Sequence, residues 1–309
     1  MLSEFALIDT IVAGLGDRAA GDWISLGPGD DAAVISTRSG LSQVASIDTL
    51  LPDVHFPAAA PPQLIGYRSL MVSFSDLAAM GAAPRYCLVS LSMDESQTAL
   101  GSAWVEALAQ GMAEAARELS VYVCGGNLTR GPLNIAVSVH GDVEPQRLLL
   151  RSGGSPGLNL YVTGALGAAA ACVRTGQIIP AEPENLTPLQ SAYYRPKARF
   201  DLLSLLASAA GGLDISDGLV QDLEHLCRAS GCGAALNSVA IPVASGAQLD
   251  DALFGGDDYE LLLVSEKPMA GAHCIGSLTT ERGLRLDGEP LHTRGFDHFR
   301  SGNSTRQGR

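Results

Sequence analysis

Eight aspartates stand where the chain would turn or where an apolar run is interrupted: Asp30, Asp31, Asp48, Asp76, Asp214, Asp217, Asp257 and Asp258. One aspartate in such a place caps a helix or shapes a turn. A set of them is a supply of hard oxygen ligands, which suit magnesium bound together with substrate phosphates. Asp76 falls inside the apolar helical run Pro62–Ala82, where an unpaired carboxylate is expensive. Asp48 follows the apolar strand Gln43–Ile47. Asp30 and Asp31 adjoin within Gly27–Val34, GPGDDAAV. Two like charges about 4 Å apart cost roughly 4 kcal/mol at an effective dielectric near 20, a cost that a divalent cation relieves. Gly27, Gly29 and Ala32 also fit the dinucleotide fingerprint G-x-G-x-x-A. That fingerprint presents bare N–H groups to a phosphate. Here two carboxylates would face it, so the reading is rejected.

Glycine pairs accompany the acids: Gly125-Gly126, Gly153-Gly154 and Gly255-Gly256. Glycine lets a backbone approach a ligand closely. Arg130 and Arg151 adjoin two of these pairs, and each is either a phosphate clamp or an ordinary surface arginine. His140 and His225 fall within expected elements and read as structural. His55 lies in a loop after Asp48 and is a candidate for touching substrate. The P-loop and the protein-kinase H-R-D and D-F-G are missing from the sequence.

These residues need a sizeable scaffold. The 309 residues suffice for two domains, and 46% hydrophobic against 17% charged content gives a large core. A net charge of −13 argues against general nucleic-acid binding, which relies on basic patches. It is compatible with cations carrying anionic substrates. The cysteines, Cys87, Cys124, Cys172, Cys227, Cys232 and Cys274, form no C-x-x-C and read as buried free thiols. With no signal-peptide pattern and no long apolar span, a soluble cytoplasmic protein that avoids membranes is expected.

Periodicity supplies the elements. Helices are expected at Ser3–Val12, Pro62–Ala82 and Ser102–Leu119, the last with apolar residues at three- and four-residue steps. Strands are expected at Ala32–Ser36, Gln43–Ile47, Tyr86–Ser92, Val121–Cys124 and Asn134–Val143. A boundary falls near Gln146–Gly157. Beyond it come a strand at Leu158–Val162, an alanine-rich helix, and a proline-rich loop at Ala181–Pro196. A helix follows with Leu219, Val220, Leu223, Leu226 and Cys227 on one face. Strands are expected at Glu260–Val264 and Cys274–Leu278. The order predicts a two-domain α/β (α+β) protein: 1–146, 147–300 and a disordered polar tail, 301–309.

The motifs taken together have a family likeness. GPGDDAAV, SIDTLLPDVHF, SFSDLAAMGAAP, GGNLTRGP, RSG, YVTG, DISDGL, GGDDYEL and GFDHF, in that order, resemble the thiamine-monophosphate kinase family of the aminoimidazole ribonucleotide synthetase superfamily. The resemblance spans about residues 3–300. It implies two α/β domains, a homodimer paired through the N-terminal domain, and transfer of the ATP γ-phosphoryl group to thiamine monophosphate. By motif it implies magnesium ligands at Asp30, Ser46, Ile47 (through its carbonyl), Asp48, Asp76, Asn127, Asp214 and Asp217. It further implies ATP contacts at Gly125, Gly126, Arg151 and Ser216, and substrate contacts at His55, Asp257 and Phe296.

Three positions depart from the family pattern. Asn127 stands for an aspartate and removes one negative charge, although its amide oxygen can still ligate. Asp257 stands for a glutamate, one methylene longer. Gln110, before Gly111, stands for an aromatic residue. The expected reaction is direct in-line transfer between two anions, which needs positioning and charge neutralisation more than covalent chemistry. Its acceptor is already ionised, so no general base is assigned. The alternatives are another ATP-using enzyme of the superfamily, or a nucleotide or thiamine-phosphate binder with impaired catalysis.

Overall fold

The computed structural model describes residues 4–26, 34–35, 37–98 and 102–292. Asp30, Asp31, Phe296, Ser3 at the start of the first expected helix, and the tail 301–309 therefore lie outside the described residues. The chain divides into two compact units, Met1–Leu77 with Ala82–Pro145, and Ala78–Gly81 with Gln146–Arg309. Each is a mixed α/β structure, the fold class that the element order predicts.

The first unit opens with helix α1 (Glu4–Leu15) and the antiparallel pair β1 (Ile24–Leu26) and β2 (Val34–Ile35). Its main sheet has the order β3-β6-β4-β5, from β3 (Ser42–Leu50), β4 (Ala83–Met93), β5 (Tyr122–Arg130) and β6 (Asn134–Val143). β4 and β5 run parallel, joined through α3 (Glu95–Thr98) and α4 (Ala103–Glu118). α2 (Pro62–Ala79) precedes β4 and is buried on nearly every side from Leu64 to Ala79. Asp76 is the half-buried interruption of that run.

α2 and α4 cross at their glycines. A Cβ on Gly66 would stand 2.1 Å from the Leu108 carbonyl oxygen, and one on Gly111 would stand 1.9 Å from that of Gln63. Gly111 is thus a helix-crossing residue, while Gln110 beside it is exposed. Because backbone rather than a flexible side chain is met on both sides, Gly111→Ala is expected to cost roughly 1–3 kcal/mol or more by overpacking. A thermal melt checks this; an unshifted midpoint contradicts the close crossing.

His140 on β6 stacks against Tyr86 with centroids 4.5 Å apart, and Ser138 Oγ lies 3.1 Å from its Nε2. Its Nδ1 is buried without a hydrogen-bond partner among the described residues. Burial holds this imidazole below the ordinary 6.5. The unfolded chain therefore takes up the proton first. The stability tied to the neutral ring is complete above about pH 6.5 and is lost as pH falls through the lower folded value. His140→Gln is expected to flatten the fall in melting temperature between pH 7.5 and 5.5; an unchanged slope removes His140 as its source.

The second unit holds a seven-stranded sheet of order β13-β12-β9-β11-β7-β10-β8. Its strands are β7 (Asn159–Val162), β8 (Gly211–Asp214), β9 (Gly233–Leu236), β10 (Leu261–Ser265), β11 (His273–Thr279), β12 (Gly283–Leu286) and β13 (Glu289–Leu291). Its helices are α5 (Ala168–Arg174), α6 (Pro188–Tyr194), α7 (Leu203–Leu206), α8 (Leu219–Ser230) and α9 (Leu249–Phe254). α8 buries the apolar face that its spacing predicts, Leu219, Val220, Leu223, Leu226 and Cys227, in one core with β7, β8, β9 and β10 residues.

Two expectations need correction. Ala181–Pro196 is not all loop. Thr187 caps α6, its hydroxyl accepting from the Gln190 amide at 3.2 Å while the Gln190 side chain accepts from the Thr187 amide at 3.0 Å. Pro188 follows at the first helical position, where its missing N–H costs nothing. Nor does the strand expected at Val121–Cys124 stop there. β5 continues through Gly125-Gly126-Asn127, paired with Leu88, Val89 and Ser90 of β4. All six cysteines are free, five of them buried and Cys274 exposed.

Candidate active site

In the first unit, β3 and α2 bring three predicted ligands together, Ser46, Asp48 and Asp76. Asp48 lies within β3 rather than after a strand, because the pairing with β6 runs from Ser42 to Leu50. Alternation along β3 puts Ser46 and Asp48 on the same face, with Ile47 on the other and 66% exposed. Ser46 Oγ donates to Asp76 Oδ2 at 2.5 Å. Burial, and next the charge of Asp76, push Asp48 up to about 6, while the Ser73 hydroxyl pulls the other way. Ser73 was not singled out from sequence. Its position one helical turn before Asp76, on the same face of α2, was the available signal.

His55 accepts the Leu51 amide at its Nδ1, 3.0 Å away, and its carbonyl accepts from Arg68 Nε at 3.3 Å. The imidazole is thereby oriented by its own loop. Asn127 is exposed on the edge strand β5. Arg130, which the sequence leaves as either a phosphate clamp or a surface arginine, is exposed and pairs with Glu95 at 2.6 Å.

In the second unit, two motif loops are joined backbone to backbone. β8 ends at the buried Asp214, and pairing with the GGDDYE segment then continues past the strand. The Ile215 amide donates to the Glu260 carbonyl, the Tyr259 amide to that of Ile215, and the Asp257 amide to that of Ser216, at 2.8–2.9 Å. A Cβ on Gly256 would stand 2.3 Å from the Ser216 carbonyl oxygen. Asp257 and Tyr259 both have positive φ, 69° and 53°. Such backbone is uncommon in residues other than glycine and has to be held by its surroundings. Here Tyr259 Oη donates to Asp257 Oδ1 at 3.0 Å. Glu260 is fixed by Arg199 and by Thr163 Oγ1, the latter donating at 2.5 Å.

Asp258 accepts the Gly167 amide at 2.7 Å, and its other oxygen is buried with no partner among the described residues. Burial pushes its carboxyl well up, against the Gly167 amide. Asp222, which sequence reading missed, accepts the amides of both Ser216 and Asp217 at its Oδ2, each at 3.0 Å. Burial first, then the charges of Asp214 and Asp217, push it up to about 8. Asp217 Oδ2 in turn accepts from Gln221 Nε2 at 3.1 Å. Arg151 is exposed in a short 3-10 turn, and its carbonyl accepts from Ser230 Oγ at 2.8 Å. Burial, and next the charges of Arg151 and Arg228, hold the half-buried His225 below its ordinary value, while the Asp217 charge pulls the other way.

No three His, Cys, Asp or Glu side chains converge as a metal cage among the described residues. A cavity of about 350 Å³ lies beside the C-terminal part of α8, lined by Cys227, Arg228, Arg282 and His292 among others. It contains none of the predicted site residues. No helix among the described residues is long and apolar enough to cross a membrane.

The sheet-and-helix first unit, with carboxylates where β3 meets α2, defines a class. Residues 29–143 match the AIR synthase related protein, N-terminal domain. The thiamine-monophosphate kinase of Escherichia coli K12 is 33% identical over 89% of this chain and 92% of its own length. A crystal structure of thiamine-monophosphate kinase from Stenotrophomonas maltophilia K279a superposes with a TM-score of 0.82 at 34% identity, covering 94% of this chain and 98% of that one. A structure of AaThiL complexed with AMPPCP and TMP gives a TM-score of 0.77 at 29% identity, covering 96% and 97%. The chain belongs to the thiamine-monophosphate kinase family.

Proposed function

We propose that this chain transfers the γ-phosphoryl group of ATP to the phosphate of thiamine monophosphate, giving thiamine diphosphate and ADP in thiamine diphosphate biosynthesis. The observation that carries this reading is the whole-length likeness to a relative complexed with AMPPCP and TMP. The terminal P–O bond of ATP breaks as a bond forms to an oxygen of the acceptor phosphate. That oxygen is already ionised, so the reading includes no general base and no phosphoenzyme.

Magnesium fits the donors present. Asp48 and Asp76 are like charges packed close enough for one to raise the other, beside the Ser46 hydroxyl, an all-oxygen set. One or two carboxylates with substrate phosphates are what magnesium takes, rather than a complete protein cage. Several ions are assigned to Asp30, Ser46, the Ile47 carbonyl, Asp48, Asp76, Asn127, Asp214 and Asp217. Bound there, magnesium would neutralise phosphate charge. Gly125, Gly126, Arg151 and Ser216 are assigned to ATP, and His55, Asp257 and Phe296 to thiamine monophosphate. We take 1–146 as the ATP- and metal-binding domain and 147–300 as the C-terminal α/β domain. The chain would act in the cytoplasm as a homodimer paired through its N-terminal domain; the exposure of Ile47 on an edge strand supports such pairing.

A coupled ADP-release assay tests the reading. Release that requires both magnesium and thiamine monophosphate, with thiamine diphosphate as product, is expected. Release driven by a carboxylate, amide or selenide acceptor instead would assign another chemistry of the superfamily, and tight binding without release would leave only a binder.

A further inference from the structure

We propose that Asp222 is the positioning residue of the ATP-binding loop, and that it leaves the Ser216 hydroxyl as the group of that residue which meets nucleotide. This rests on the assignment of Ser216 and Asp217 to ATP and magnesium.

The backbone of Ser216 is fully committed. Its amide donates to Asp222 Oδ2 at 3.0 Å and its carbonyl accepts the Asp257 amide at 2.9 Å. The Asp217 amide goes to the same Asp222 oxygen at 3.0 Å. Asp222 stands in the first turn of α8, where a carboxylate ordinarily serves its own helix. Here it reaches back past Gly218 to two amides of the loop before the helix. Gly218 makes the bend possible with φ 108°, and a Cβ there would stand 2.8 Å from the Gly255 carbonyl oxygen. One buried carboxylate, 5% exposed, therefore takes the two amides that could otherwise have cradled a phosphate. Those two amides are therefore not free to hold a phosphate in the manner of a helix N-terminus. What remains to these half-buried residues is side-chain oxygen: Ser216 Oγ and the Asp217 carboxylate, which Gln221 steadies at 3.1 Å.

Outer partners that orient ligating groups typically matter by 10–100-fold in affinity or activity. The test is calorimetric titration of the full chain with magnesium and a non-hydrolysable ATP analogue, alongside KM values for both substrates. Asp222→Ala is expected to weaken analogue binding about 10–100-fold and to raise KM for MgATP, with KM for thiamine monophosphate little changed. Asp222→Asn is expected to recover most of the loss, since both loop amides go to a single oxygen that an amide side chain retains. If the alanine variant does not fold, Asp222→Glu serves. It keeps the carboxyl group but displaces the oxygen by a methylene, and is expected to weaken analogue binding too.

Unchanged analogue binding in Asp222→Ala or Asp222→Glu overturns the proposal, as does equal loss of both substrates or failure of Asn to rescue. Ser216→Ala and Asp217→Asn separate the two levels. If both bind the analogue as wild type does, the assignment of the loop to ATP falls and the proposal with it. If they bind weakly while the Asp222 variants do not, only the positioning role falls.

Discussion

Asp48→Ala is expected to lower thiamine-monophosphate-dependent ADP release by roughly 10²–10³-fold or more, the scale for losing one preorganised stabiliser of transition-state charge, without lowering the melting temperature. The two halves of this result have one cause. Asp48 is pushed from 3.8 up to about 6 by burial and by the Asp76 charge. At about 1.4 kcal/mol per unit, holding it ionised at neutral pH works against the metal-free fold by something on the order of 3 kcal/mol. Truncation removes that penalty and leaves a small cavity, so the fold is unharmed or steadied. Activity has the opposite dependence, because the carboxylate is useful only when phosphate charge and magnesium arrive. Asp48→Asn separates shape from charge and is expected to behave like alanine in turnover. Near-wild-type turnover in either variant removes Asp48 from the magnesium set. A collapsed fold would make its role structural.

That pair also marks the limit of what sequence could show. Asp76 was suspicious alone, as a carboxylate in an apolar helix. Nothing local says that its neighbour is Ser46, thirty positions earlier and on a strand. Asp222 was hidden for a related reason. Its two hydrogen bonds depend on a backbone reversal at Gly218, and a carboxylate in the first helical turn looks like an ordinary helix-dipole residue. The whole-chain resemblance named Ser216 and Asp217 but not what holds them.

The fold was more legible where one period rules a segment. α8 buries the five apolar residues that helical spacing selects, because nothing competes with that face for the core. α6 was missed because prolines and acids dominate its neighbourhood, although the Thr187–Gln190 capping box and Pro188 are start signals in their own right. The extension of β5 was missed because a glycine pair usually punctuates structure. Here it does the reverse and lets the strand continue.

That continuation gives the second large effect. Gly126→Ala is expected to destabilise the first unit by several kcal/mol, or prevent its folding, whereas Gly125→Ala folds normally. A Cβ on Gly126 would stand 1.8 Å from the Val89 carbonyl oxygen and 2.7 Å from its carbon. Backbone cannot swing aside as a side-chain end can, so β5 would have to separate from β4 along a pairing that runs from Tyr86 to Met93. The penalty belongs at or above the upper end of the roughly 1–3 kcal/mol usual for overpacking. A Cβ on Gly125 meets only Leu88 Cδ2, at 3.5 Å, an ordinary contact. The two adjacent glycines therefore have different reasons to be glycine. Gly126 is there so that two strands can meet. Gly125 has room, and its assignment to ATP phosphates predicts a raised KM for MgATP in Gly125→Ala with an unshifted melt. A melt that falls equally in both variants contradicts the strand geometry. An unchanged KM in Gly125→Ala takes Gly125 out of the nucleotide site while leaving the fold argument for Gly126 intact.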